Sequence, residues 1–183
     1  MIARRPFMAA LAACAATAVI CPSRVLARRS ELFTLGIASG EVASDGMVLW
    51  TRLAPRPFDP DGGMPPGHVE VTWQVAADER FRHMVQSGTA LAIRKKAHSV
   101  HVEVDGLRPD HTYFYRFLAF GEASPVGRVQ TLPEVGKRLG KLRFAVAGCQ
   151  RYEDGFFAAY RHIAERDMAF VFHYGEVVSL DVV

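Results

Sequence analysis

Cysteine is scarce in this chain. There are three in 183 residues, and two of them, Cys14 and Cys21, fall in an N-terminal stretch with the marks of a leader. Only Cys149 remains beyond it, so no internal disulfide is expected. An excess of one charge is also missing. The formal net charge of +3 equals the contribution of Arg4, Arg5 and Arg24 in residues 1–27, which hold no acid. The remainder is neutral overall, which leaves no electrostatic case for nucleic acid as a partner. No apolar run is long enough to predict a membrane span once the leader is removed. The sequence contains no GxSxG, no P-loop and no HExxH, so it offers no serine-nucleophile elbow, nucleotide cradle or helical zinc pair. There is no internal repeat, and no low-complexity tract beyond the Ala-rich start.

Half of the residues are apolar, enough for one domain and part of another. The chain opens with Arg4-Arg5-Pro6-Phe7-Met8, which resembles a twin-arginine export signal. An apolar stretch from Pro6 to Ile20 follows, and Val25-Leu26-Ala27 is a plausible cleavage site. Residues 1–27 are therefore read as a leader, and the mature protein as periplasmic or extracellular. An uncleaved anchor and a lipid-modified Cys14 are the alternatives.

Residues 32–132 read as all-β. Strands are expected over Leu32–Ser39, Gly46–Leu53, His68–Val75, Ser99–Asp105, His111–Phe120 and Ser124–Thr131, with a weaker pair in Phe81–Ile93. The alternation is cleanest where Val69, Val71, Trp73 and Val75 share one face, and where Val100, Val102 and Val104 share another. Five prolines and three glycines between Ala54 and Gly67 mark a surface loop. Short strands at regular spacing predict a β-sandwich. The piece Leu107-Arg108-Pro109-Asp110-His111-Thr112-Tyr113 resembles the fibronectin type III signature, in which a corner tyrosine bonds back to upstream backbone. Tyr113 is the candidate. Trp50 and Trp73 are expected in the core.

A polar linker over Pro133–Lys141 leads to a strand–loop–helix–strand pattern. Phe144–Ala147 and Met168–Phe172 are the strands, and Gly155–Asp167 is the helix, with Phe156, Tyr160 and Ile163 on one face. Ligands of α/β folds sit at the carboxyl ends of parallel strands. Those ends carry Cys149 and Glu176, a thiol and a carboxylate that can both ligate metal. His98 and His101 lie three apart on an expected strand, where such residues face opposite ways, so they are not read as a metal pair. His68, His83, His111 and His162 have no partner in the pattern. His173, at a strand end, is expected to be structural.

Several segments together carry a stronger resemblance: FTLGIASGEVASDGMVLWTRLAP, AHSVHVEVDGLRPDHTYFYRF, SPVGRVQT and FAVAGCQRYEDGFFAAYRHIAERDMAFVFHYGE. From Phe33 to about Val178 the sequence resembles the N-terminal portion of the alkaline phosphatase D (PhoD-like phosphatase/phosphodiesterase) family. The resemblance implies a mainly β chain: a fibronectin type III-like β-sandwich followed by the first β-α-β piece of a calcineurin-like metallophosphatase domain, here residues 142–183. It implies metal-dependent hydrolysis of phosphate mono- and diesters with Fe(III) and Ca(II). It places Cys149 at an iron ligand and Glu176 at the position of a metal-bridging aspartate. Ser179 stands where the family has a further tyrosine ligand. Arg151 and Tyr152 either face substrate or are solvated loop residues.

These departures carry a physical expectation. Glu for Asp moves the carboxylate by about 1.5 Å, whereas metal–ligand distances hold within roughly 0.2 Å. Serine replaces neither the reach nor the charge of a phenolate. The 183-residue chain is therefore expected to be inactive, a truncated or frame-shifted phosphatase that does not stably bind its metals. The alternatives are a non-catalytic exported binding module using loops such as Pro55–Gly67, and a product without function.

Overall fold

The computed structural model describes residues 31–138, 140–149 and 157–175. The leader expected over residues 1–27 lies outside them. In chain order the strands are β1 (Ile37–Gly40), β2 (Met47–Arg52), β3 (His68–Ala76), β4 (Met84–Ile93), β5 (Ser99–Val104), β6 (Thr112–Ala119), β7 (Glu122–Ala123), β8 (Gly127–Gln130), β9 (Phe144–Gly148) and β10 (Phe170–Tyr174), with one α-helix, α1 (Ala158–Ala164).

One antiparallel sheet has the order β1-β2-β5. A second has the order β4-β3-β6, and both β7 and β8 pair with β6. Alternation decides what lies between the two sheets. Met47, Leu49 and Thr51 of β2 sit opposite Val104, Val102 and Val100 of β5, and all six are buried. From the other sheet come Val69, Val71, Val75, Tyr113, Tyr115 and Phe117. Each fully buried Val, Leu or Phe contributes about 1.5–3 kcal/mol over its exposed state. The one hydroxyl in this β2 row is satisfied, because Thr51 Oγ1 donates to Gly36 O at 3.0 Å.

Two glycines shape the second sheet. Trp73 pairs directly with Gly88 of β4, and a Cβ there would stand 2.7 Å from the indole. A Cβ at Gly127 of β8 would stand 2.3 Å from the ring of its partner Tyr115. Each aromatic ring fills the space that a side chain would take.

The expected corner forms as read. Tyr113 is buried, and its hydroxyl accepts the Arg108 N–H at 2.9 Å. Other expectations are corrected. The first strand is only Ile37–Gly40, because Gly36 N–H closes a turn onto Phe33 O at 2.9 Å. Leu32 and Phe33 still reach the core, from that turn. Within Phe81–Ile93 there is one ten-residue strand, Met84–Ile93, after a short loop, with a bulge opposite Val75 and Ala76. Trp50 alternates with the buried residues of β2 and is only half-buried, on the outer face.

β9 and β10 form a separate parallel pair, with Phe144 opposite Phe170 and Gly148 opposite Tyr174. The helix is shorter than the expected Gly155–Asp167. No described residue after Thr131 is buried. Parallel sheets are normally covered on both faces, and this one leaves Phe144, Val146 and Phe172 exposed.

Candidate functional site

The site is built where β9 and β10 end. Parallel pairing in register brings Gly148 beside Tyr174, so the residues that follow, Cys149 and Gly175, become neighbours. Cys149 adopts a left-handed backbone conformation, with φ of 48°. Its N–H donates to Tyr174 O at 3.2 Å, which extends the ladder by one step. Gly175 is also left-handed, with φ of 74°. A Cβ at Gly175 would lie 2.5 Å from Cys149 Sγ. Glycine is thus required there on two grounds: backbone conformation and the volume held by the thiol. A Cβ at Gly148 would meet both the carbonyl and the ring of Tyr174 within 2.7 Å. The thiol itself is free and exposed.

Helix α1 reaches this end through a polar contact. Tyr160 Oη lies 3.0 Å from His173 Nε2, with the rings nearly parallel at 14° and centroids 6.4 Å apart. Both residues are half-buried. The helical spacing placed Tyr160 on the inward face but gave no sign of its partner. The signal was available in retrospect, since an inward tyrosine and a strand-end histidine can meet only across the helix–strand interface.

Of the residues expected to form the site, Cys149 is where the strand-end argument put it. Glu176, Arg151, Tyr152 and Ser179 lie outside the described residues. The other histidines do not gather. His98 is fully buried, with Nδ1 3.3 Å from Ala92 O, and His101 is exposed on β5. His83 contacts Asp78 at 3.2 Å, and His162 contacts Glu165 at 3.6 Å. Among the described residues no three His, Cys, Asp or Glu side chains converge. A site for two cations needs several oxygen and nitrogen donors around each ion. Among the described residues this end offers one thiol, beside an imidazole engaged by Tyr160.

A groove of about 560 Å³ separates this piece from the sandwich, lined by Glu41, Val42, Arg128, Leu132, Met168 and Val171. Its residues come from distant parts of the chain, and no sequence pattern announces it. Across the junction Arg128 approaches Asp167 at 3.4 Å, an exposed pair worth little on its own.

Comparison with known proteins adds the following. The family model described as the N-terminal domain of PhoD-like phosphatase matches residues 18–133. The model described as PhoD-like phosphatase matches residues 144–180. Alkaline phosphatase D of Bacillus subtilis (strain 168) is 51% identical over 146 residues, which cover 80% of this chain and 25% of that protein. A solved structure of PhoD superimposes with a TM-score of 0.77 at 52% identity, covering 80% of this chain and 28% of that one. A human fibronectin type III domain aligns at 9% identity with a TM-score of 0.39, over 57% of this chain and 76% of that one. The chain spans about a quarter of the length of the curated relative it matches.

Proposed function

The chain belongs to the PhoD-like phosphatase family, and from that premise we propose that it is an exported N-terminal part of a metal-dependent phosphoester hydrolase, inactive by itself. Residues 32–132 form its sandwich domain and residues 142–183 the start of its metallophosphatase domain. Residues 1–27 direct it through the twin-arginine route to the periplasm or beyond. In the complete phosphatase the substrates are phosphate mono- or diesters, held by Fe(III) and Ca(II).

The observation that carries this reading is the position of Cys149. Its thiol is exposed at the carboxyl end of β9, against Gly175 at the end of β10, where α/β folds place their ligands. It is the residue the family resemblance assigns to iron. The family resemblance assigns Glu176 to the bridging position, with one methylene too many, and Ser179 to a ligand position that calls for a phenolate. These departures support inactivity, because hydrolysis of this class needs a metal clamp on phosphate and a metal-generated hydroxide.

The test is direct. Purified chain is incubated with Fe(III), Ca(II) and bis-p-nitrophenyl phosphate, and bound iron is measured after desalting. Turnover at the level of the metal-only blank, with well under one iron per chain, is expected. Stoichiometric iron together with turnover far above the blank overturns the reading.

A further inference from the structure

We propose that Tyr160 is a positioning residue: through His173 it holds the end of β10 against Cys149 and so sets where the thiol stands. The proposal rests on the reading of Cys149 as the metal-facing group for its functional meaning, but not for its test.

The contacts run in an unbroken series. Tyr160 Oη meets His173 Nε2 at 3.0 Å. His173 pairs with Ala147, and Tyr174 with Gly148. Tyr174 O takes the Cys149 N–H at 3.2 Å, and Gly175 then leaves room for Sγ. The polar contact matters here because, among the described residues, little else holds the piece together. Helix α1 has seven residues, no side-chain cap and no buried residue, and helices that short are not stable alone. Phe144 and Phe170 stack at 5.2 Å, but they do so at the opposite end of the strand pair. Among the described residues, the tyrosine–histidine contact is the side-chain hydrogen bond at the end bearing Cys149.

Amide hydrogen exchange of the full chain tests this, because the Cys149 N–H reports the strand-end bond itself. Tyr160→Phe and His173→Leu are expected to speed Cys149 exchange about fivefold, the factor one net hydrogen bond carries. His173→Gln, whose amide can still meet the tyrosine hydroxyl, is expected to stay near wild type. The amide of Ala169, which bonds Arg143 O at 2.8 Å at the far end of the pair, is expected not to change. Unchanged Cys149 exchange in Tyr160→Phe overturns the proposal. So does equal acceleration at Cys149 and Ala169, which would mean that the contact only supports the fold. So does failure of the glutamine variant to restore the rate. No metal enters the measurement, so the proposal and the phosphatase reading fail on different data.

Discussion

The hydroxyl of Tyr113 accepts the backbone N–H of Arg108 at 2.9 Å, from a ring that is only 3% exposed. The bond ties the start of β6 to the turn before it. Tyr113→Phe keeps the buried ring and removes the acceptor, leaving a part-buried N–H without its partner. A loss of about 1–2 kcal/mol is expected. Urea unfolding followed by tryptophan fluorescence checks it through a lower midpoint at unchanged slope.

Burial pushes the Tyr115 hydroxyl above its ordinary range, and its hydrogen bond with Ser39 pulls it part of the way back. The folded chain therefore holds this proton more tightly than the unfolded chain does. The resulting stability is complete below the unfolded value of about 10 and is lost as pH rises through the folded-state value. Unfolding midpoints are expected to fall on the alkaline side of about pH 10, and to fall less steeply in Tyr115→Phe. A parallel decline in both proteins would show that another group controls the alkaline limb.

The two tryptophans should behave differently. Trp73 is also half-buried, but it packs against the core and over Gly88, so Trp73→Ala is expected to cost about 3 kcal/mol. Trp50 lies half-buried on the outer face of its sheet, and Trp50→Ala is expected to cost about 1 kcal/mol. Gly88→Val, which drives a side chain into the indole, is expected to cost about 1–3 kcal/mol. Comparing the three unfolding free energies decides the matter.

Every buried residue lies at or before Thr131 among the described residues. Limited proteolysis is expected to cut first within residues 133–138, where loop backbone is accessible. The released sandwich should then melt like the whole chain, because none of the described residues after Thr131 is fully buried. A fragment that melts well below the intact chain would show that the sandwich depends on the strand pair.

Much of the fold was legible because period-two alternation is strong where only one face is buried. β3 and β5 show it, and their valines lie where the pattern put them. The corner tyrosine was legible because its turn has a recognisable sequence. The extent of the first strand was not, since Gly36 closes a turn inside an apolar run. Trp50 was misplaced for a related reason. β2 has apolar residues on both faces, so its own periodicity cannot choose between Met47-Leu49-Thr51 and Val48-Trp50. Pairing with the cleanly alternating β5 makes that choice.

By itself the sequence determined the order of strands, the family and the identity of the strand-end thiol, because each is encoded within a few neighbouring residues. Tertiary structure alone decided that Cys149 Sγ rests on Gly175 and that Tyr160 meets His173. Those partners are separated along the chain, and only the parallel register of β9 and β10, with α1 laid across it, brings them within contact distance.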